Sequence, residues 1–88
     1  MYEIIIENPA ERFIKTLKKE EQKKILDVIE ELSINPKKGK ELVGRLTGLR
    51  SLRLSQYRII YKVEDIKLIV FVLRMGHRGD IYSKKIGK

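Results

Sequence analysis

Five arginines, one histidine and a tyrosine punctuate the stretch from Gly48 to Tyr82: Arg50, Arg53, Arg58, Arg74, Arg78, His77 and Tyr82. A guanidinium is planar and permanently charged, and it meets phosphate oxygens with two parallel hydrogen bonds. Histidine and tyrosine are the groups here that can move a proton. Between these residues lie three apolar runs, separated by short polar breaks. Three strands carrying cations on one surface is the economical reading, and that surface is where function is expected.

The charge distribution supports it. The chain carries a net charge of +8. Residues 1–35 hold 6 Lys/Arg against 8 Asp/Glu, whereas residues 36–88 hold 14 against 4. The positive excess therefore travels with the strands. A localised basic field attracts phosphates and speeds encounter with polyanions. A charge serving solubility alone would be spread more evenly.

Size and composition bound the rest. A chain of 88 residues forms one small domain, 1–88, with no room for a second. Hydrophobic residues make up 42% and charged residues 36%, a balance that folds. The absence of cysteine excludes disulfides, thiolate metal sites and a cysteine nucleophile, and fits a cytoplasmic location. One histidine leaves no credible zinc or transition-metal cluster, and no phosphate-binding G-x-x-x-x-G-K-[ST] loop occurs. No metal and no cofactor are expected. No secretory signal is visible, and the longest apolar run, Leu68 to Leu73, is too short to cross a bilayer, so no membrane association is expected.

These residues need elements to position them. Tyr2 to Glu7, with three consecutive isoleucines, favours a strand. Asn8-Pro9-Ala10-Glu11 reads as a helix start, with Asn8 as cap and Glu11 reaching back. Ala10, Phe13, Ile14 and Leu17 keep helical spacing, and Ile25, Val28, Ile29 and Leu32 resume it. Two helices broken near Lys18–Glu20 and ended by Asn35-Pro36 form a hairpin, a reading favoured over one long helix to Ile34, which the lack of Gly or Pro at the break also allows. Pro36 to Thr47 is the connector. Leu49 to Leu54, Tyr57 to Val63 and Lys67 to Met75 are strands. Ser51 and Arg53 share one face of the first, and Arg58, Ile60 and Lys62 share one face of the second. The fold class is α+β: an N-terminal strand, a helical hairpin, a three-stranded antiparallel meander and a short C-terminal segment. The helices cover one sheet face, and Arg53, Arg58 and Arg78 converge on the other.

The order and spacing of these pieces resemble the RelE toxin family, within the RelE/ParE superfamily. The resemblance covers nearly the whole chain. It is carried by the short opening strand, the helical hairpin, Leu-x-Gly in the connector, S-L-R-L…Y-R-I-I-Y, V-F-V-L and G-H-R-x-x-x-Y. It implies a type II toxin that enters the ribosomal A site, cuts the mRNA there without metal or nucleotide, and is held inactive in a heteromeric complex with a cognate RelB-like antitoxin. It also implies site residues. Arg53 matches a basic position on the second strand, and Ser51 falls where some relatives have a lysine. Arg58 matches the third-strand arginine, Arg78 the arginine after the fourth strand, and Tyr82 the C-terminal tyrosine.

Cleavage by the 2′-hydroxyl requires that hydroxyl to lose a proton, the phosphorane charge to be stabilised, and the 5′-oxygen to gain a proton. Arg58 and Arg78 suit the second task, with Arg53 as a further phosphate contact. Arg53 stays protonated and makes a poor base, so His77 and Tyr82 compete for proton transfer. Ser51, Tyr57, Arg50, Lys84 and Lys85 are expected to contact RNA, Tyr57 by stacking or packing and the lysines by diffuse attraction. Two other readings stand beside the nuclease. One is a ParE-like inhibitor of DNA gyrase. The other is a degenerate toxin that binds RNA or antitoxin without efficient cleavage, because the family lysine is missing.

Overall fold

The computed structural model describes residues 1–79. Tyr82, Lys84 and Lys85 lie outside the described residues. The elements run β1 (Glu3–Ile6), α1 (Asn8–Lys15), α2 (Lys19–Glu31), β2 (Lys40–Glu41), a 3₁₀ turn (Gly44–Leu46), β3 (Arg50–Leu54), β4 (Tyr57–Glu64) and β5 (Ile69–His77). The α+β class and the helical hairpin are as expected. Pro9 occupies the first turn of α1, where its missing N–H costs nothing. The cap differs from expectation. Glu7, in extended conformation, precedes the helix, and no side chain caps it, so Asn8 enters the helix itself.

The sheet is larger than a three-stranded meander. Its order is β1-β5-β4-β3-β2, five strands in all. β3, β4 and β5 pair antiparallel as expected, whereas β1 returns to lie parallel against β5, with Ile4 opposite Val70. The helical hairpin between them is long enough for such a crossover. β2 comes from the connector and pairs with β3, placing Lys40 opposite Ser51 and Glu41 opposite Arg50.

One irregularity in β5 decides which side chains face the helices. Ile60 pairs with Arg74, yet Tyr61 pairs with Val72, which leaves Leu73 as an extra residue. Strict alternation from Val70 and Val72 would turn Arg74 toward the helices. The bulge shifts the parity instead. Val70, Val72 and Met75 are buried beneath the helices, and Arg74 shares the outer face with Ile60.

The main core lies between helices and sheet. Ala10, Ile14, Ile25, Ile29 and Leu32 meet Leu52, Ile59, Tyr61, Val70, Val72 and Met75. Each Leu, Ile, Val or Met side chain among them contributes about 1.5–3 kcal/mol when fully buried. The outer face is not wholly open. Ile60 is buried there beneath Leu42, Leu46 and Leu49 from the connector. These leucines roof one end of the outer face and leave the end near the β3–β4 turn uncovered by them.

The connector is pinned by polar contacts as well. The Tyr61 hydroxyl donates to the Pro36 carbonyl at 2.8 Å and accepts from the Gly39 N–H at 2.8 Å. Arg50 Nη1 donates to the Gly39 carbonyl at 2.6 Å. Gly39 packs so closely that a Cβ there would sit 2.6 Å from the Ser51 carbonyl oxygen. A glycine is required at this position by space.

Candidate nucleic-acid interface

The β3–β4 hairpin places two arginines side by side. Its turn is Ser55-Gln56, with Ser55 at φ 55°, a positive value suited to tight two-residue hairpin turns. That turn fixes the register: Leu54 opposite Tyr57, Arg53 opposite Arg58, Leu52 opposite Ile59 and Ser51 opposite Ile60. Directly opposed residues share a face. Ser51, Arg53, Arg58 and Ile60 therefore stand on the outer face, and Leu52, Leu54, Tyr57 and Ile59 on the helix face. On its other side Arg58 pairs with Gly76, which adds no side chain.

Arg53 is exposed and Arg58 half-buried. Arg58 Nη1 donates to Ser51 Oγ at 3.0 Å. Ser51 itself is only 4% exposed, so its hydroxyl meets the guanidinium rather than solvent. Arg78 follows β5 directly. Its N–H donates to the Gln56 carbonyl at 3.0 Å, which ties the end of β5 to the turn that precedes Arg58. Arg53, Arg58 and the Arg78 backbone thus gather at one end of the sheet.

Other expected site residues lie elsewhere. His77 pairs with Tyr57, on the helix face. Its ring packs against Phe13 and Tyr57 at centroid distances of 5.7 and 5.4 Å, and Phe13 meets Tyr57 edge-on at 5.7 Å. This aromatic trio is backed by α1, across the sheet from the Arg58 side chain. Tyr57 is buried, and its hydroxyl donates to Glu21 Oε2 at 3.0 Å. Burial and then Glu21 raise its pKa above the ordinary 10.0. Tyr57 thus packs on the helix side of the sheet, away from the Arg58 face. Arg50 faces the helix side and serves the connector, as described above.

Some cations of the outer face carry no motif. Lys40 stands opposite Ser51, Lys62 belongs to the Arg58 face, and Arg74 stands opposite Ile60. Lys40 lies on a strand of two residues, too short to be read from its pattern. Arg74 reaches this face only through the bulge. Among the described residues, ion pairs join Lys15 to Glu11, Lys37 to Asp65 and Lys38 to Glu31, and Arg53, Lys40, Lys62 and Arg74 take part in none of these. Cations at strand spacing on one face can engage several phosphates of a polyanion. Among the described residues, no three His, Asp or Glu side chains cluster as metal ligands would, and no helix is long and apolar enough to cross a membrane.

The chain is similar to known proteins over most of its length. A family described as "ParE toxin of type II toxin-antitoxin system, parDE" matches residues 4–82. The mRNA interferase toxin RelE of Escherichia coli is 32% identical over 78 residues, covering 81% of this chain and 75% of the relative. Toxin RelG of Mycobacterium tuberculosis is 41% identical over 46 residues, and that match spans about half of each protein, 52% of this chain and 53% of the relative. Among solved structures, a chain of the RelBE2 toxin–antitoxin complex from M. tuberculosis superimposes with a TM-score of 0.81 at 29% identity, covering 88% of this chain and 98% of that one. A chain of the archaeal RelE–RelB complex from Pyrococcus horikoshii gives 0.75 at 27% identity, covering 89% and 96%.

Proposed function

The chain belongs to the ParE toxin family of type II toxin–antitoxin systems, within the RelE/ParE superfamily, and from that premise we propose that it is a RelE-like endoribonuclease that cuts mRNA in the ribosomal A site. The observation that carries this reading is the pairing of Arg53 with Arg58 on an outer face that the helices do not cover. Two guanidiniums at adjacent positions suit a phosphodiester far better than a packing role.

In the proposed reaction the 2′-oxygen attacks the neighbouring phosphorus as its proton leaves, and the 5′-oxygen departs with a proton gained. The products are a 2′,3′-cyclic phosphate and a 5′-hydroxyl. Arg58 and Arg78 stabilise the charge on the equatorial oxygens, and Arg53 holds a flanking phosphate. The His77 ring is engaged on the opposite face, which favours Tyr82 for proton transfer. Lys40, Lys62 and Arg74 extend the basic surface toward the ribosome. The working location is the cytoplasm, where ribosomes are.

An antitoxin completes the reading. Two of the similar solved structures are RelB–RelE-type complexes, and a cognate RelB-like protein is expected to hold this chain inactive. An acidic, apolar segment that folds on binding would complement the basic face.

The family match favours one second reading, inhibition of DNA gyrase in the manner of ParE relatives. Purified protein assayed on gyrase supercoiling and on ribosome-bound mRNA separates the two. Cleavage without an effect on supercoiling supports the nuclease. Blocked supercoiling with intact mRNA supports the inhibitor.

A further inference from the structure

We infer that Ser51 is a positioning residue for Arg58, holding its guanidinium through Oγ, and that the connector in turn fixes Ser51. The inference deepens the nuclease reading and rests on it.

Three observations converge. Ser51 is 4% exposed, so it cannot act by touching RNA directly. Its Oγ accepts a hydrogen bond from Arg58 Nη1 at 3.0 Å. This bond to a terminal nitrogen restricts rotation of the guanidinium and sets which edge it turns toward the open face. Serine suits the position because its hydroxyl sits one bond from Cβ, within a packed strand. A longer side chain would have to leave that space.

The Ser51 backbone is itself held from the connector side. Lys40 pairs with Ser51 in the β2–β3 ladder. The Gly39 backbone packs flush on the Ser51 carbonyl, and Arg50 Nη1 grips the Gly39 carbonyl at 2.6 Å. Tyr61 anchors the same loop through Pro36 and Gly39. Connector, Ser51 and Arg58 thus form one continuous set of contacts, running from the buried Tyr61 hydroxyl to the candidate phosphate-binding arginine. A catalytic group displaced by about 1 Å can lose on the order of 100-fold in rate. Such a chain of contacts keeps Arg58 within that tolerance.

The test compares purified wild-type protein, Ser51→Ala and Ser51→Thr on mRNA programmed in ribosomes under single-turnover conditions. Ser51→Ala is expected to lower the cleavage rate at saturating ribosomes by about 10- to 100-fold, with the half-saturating ribosome concentration unchanged. Ser51→Thr, which keeps the hydroxyl, is expected to recover most of the rate. Nitrogen-15 exchange spectra of the Arg58 guanidinium give a readout independent of cleavage, with faster rotation expected in Ser51→Ala and not in Ser51→Thr. An active wild type with an equally active Ser51→Ala variant, or unchanged guanidinium rotation, overturns the positioning role and leaves the nuclease reading standing. Loss of binding and rate together, with no rescue by threonine, also overturns it, because that pattern marks a general structural defect. A wild-type protein that leaves ribosome-bound mRNA intact overturns the nuclease reading, and the positioning role falls with it.

Discussion

Arg53 and Arg58 are direct partners across the β3–β4 pair, both on the face turned away from the helices. Like charges opposed across strands destabilise a sheet by about 0.2–1 kcal/mol. A fold selected for stability alone would not place them so. The pairing supports the proposal that charge here serves a ligand.

Replacing Arg53 with threonine therefore separates stability from function. Arg53→Thr is expected to raise stability by about 0.2–1 kcal/mol, because it removes the repulsion and threonine suits a strand. Cleavage should fall. Salt screens exposed charges, so the stability gain should shrink as ionic strength rises. Thermal unfolding at low and high salt, beside a cleavage assay, checks all three expectations.

Gly39→Ala is expected to destabilise the domain by about 1–3 kcal/mol, the usual cost of overpacking. The added methyl would meet the Ser51 carbonyl oxygen at 2.6 Å and the Tyr61 hydroxyl at 2.8 Å. Part of that contact is backbone, which cannot swing away. Denaturant unfolding of the purified variant is the check. By contrast, Gly44→Ala meets no atom within 4 Å, and its cost comes only from the positive φ of 70°.

Tyr61 links stability to alkaline pH. Burial is the main reason its pKa lies above the ordinary 10.0, with the Gly39 N–H and Arg50 pulling the other way. The folded state therefore holds the proton more tightly than the unfolded state. The resulting stability is fully present below about pH 10 and is lost as pH rises toward the folded-state pKa. Stability should fall as pH rises above about 10, and the fall should be shallower in Tyr61→Phe. At neutral pH the same substitution should cost about 1–3 kcal/mol, since it leaves the Gly39 N–H and the Pro36 carbonyl without the hydroxyl. Urea unfolding at several pH values measures both effects.

Much of this architecture is legible in the sequence. The isoleucine run marks β1, helical spacing marks α1 and α2, and alternation around Arg53 and Arg58 places both on one face. Two relations resist such a reading because they are not local. The parallel return of β1 to β5 has no signal in either segment alone. The bulge at Leu73 depends on register with β4, and without it neither the outward turn of Arg74 nor the seat of His77 beside Tyr57 can be derived. His77 sits next to Arg78 in the chain, yet its ring belongs to the Phe13 side of the sheet. Sequence adjacency at a strand end says little about which face a group serves. Ser51 shows the reverse. Its type suggested a surface contact, and only its 4% exposure reveals a buried acceptor for Arg58.

The most direct test is primer extension on an mRNA programmed in purified ribosomes, with wild-type protein, with Arg58→Ala, and with the same mRNA free in solution. New 5′-ends at the A-site codon with wild type, their reduction by at least about 100-fold in Arg58→Ala, and intact free mRNA are the predicted results. No new ends from folded wild-type protein, or equal cutting by Arg58→Ala, would contradict the assignment of this outer face as a ribosome-dependent nuclease site.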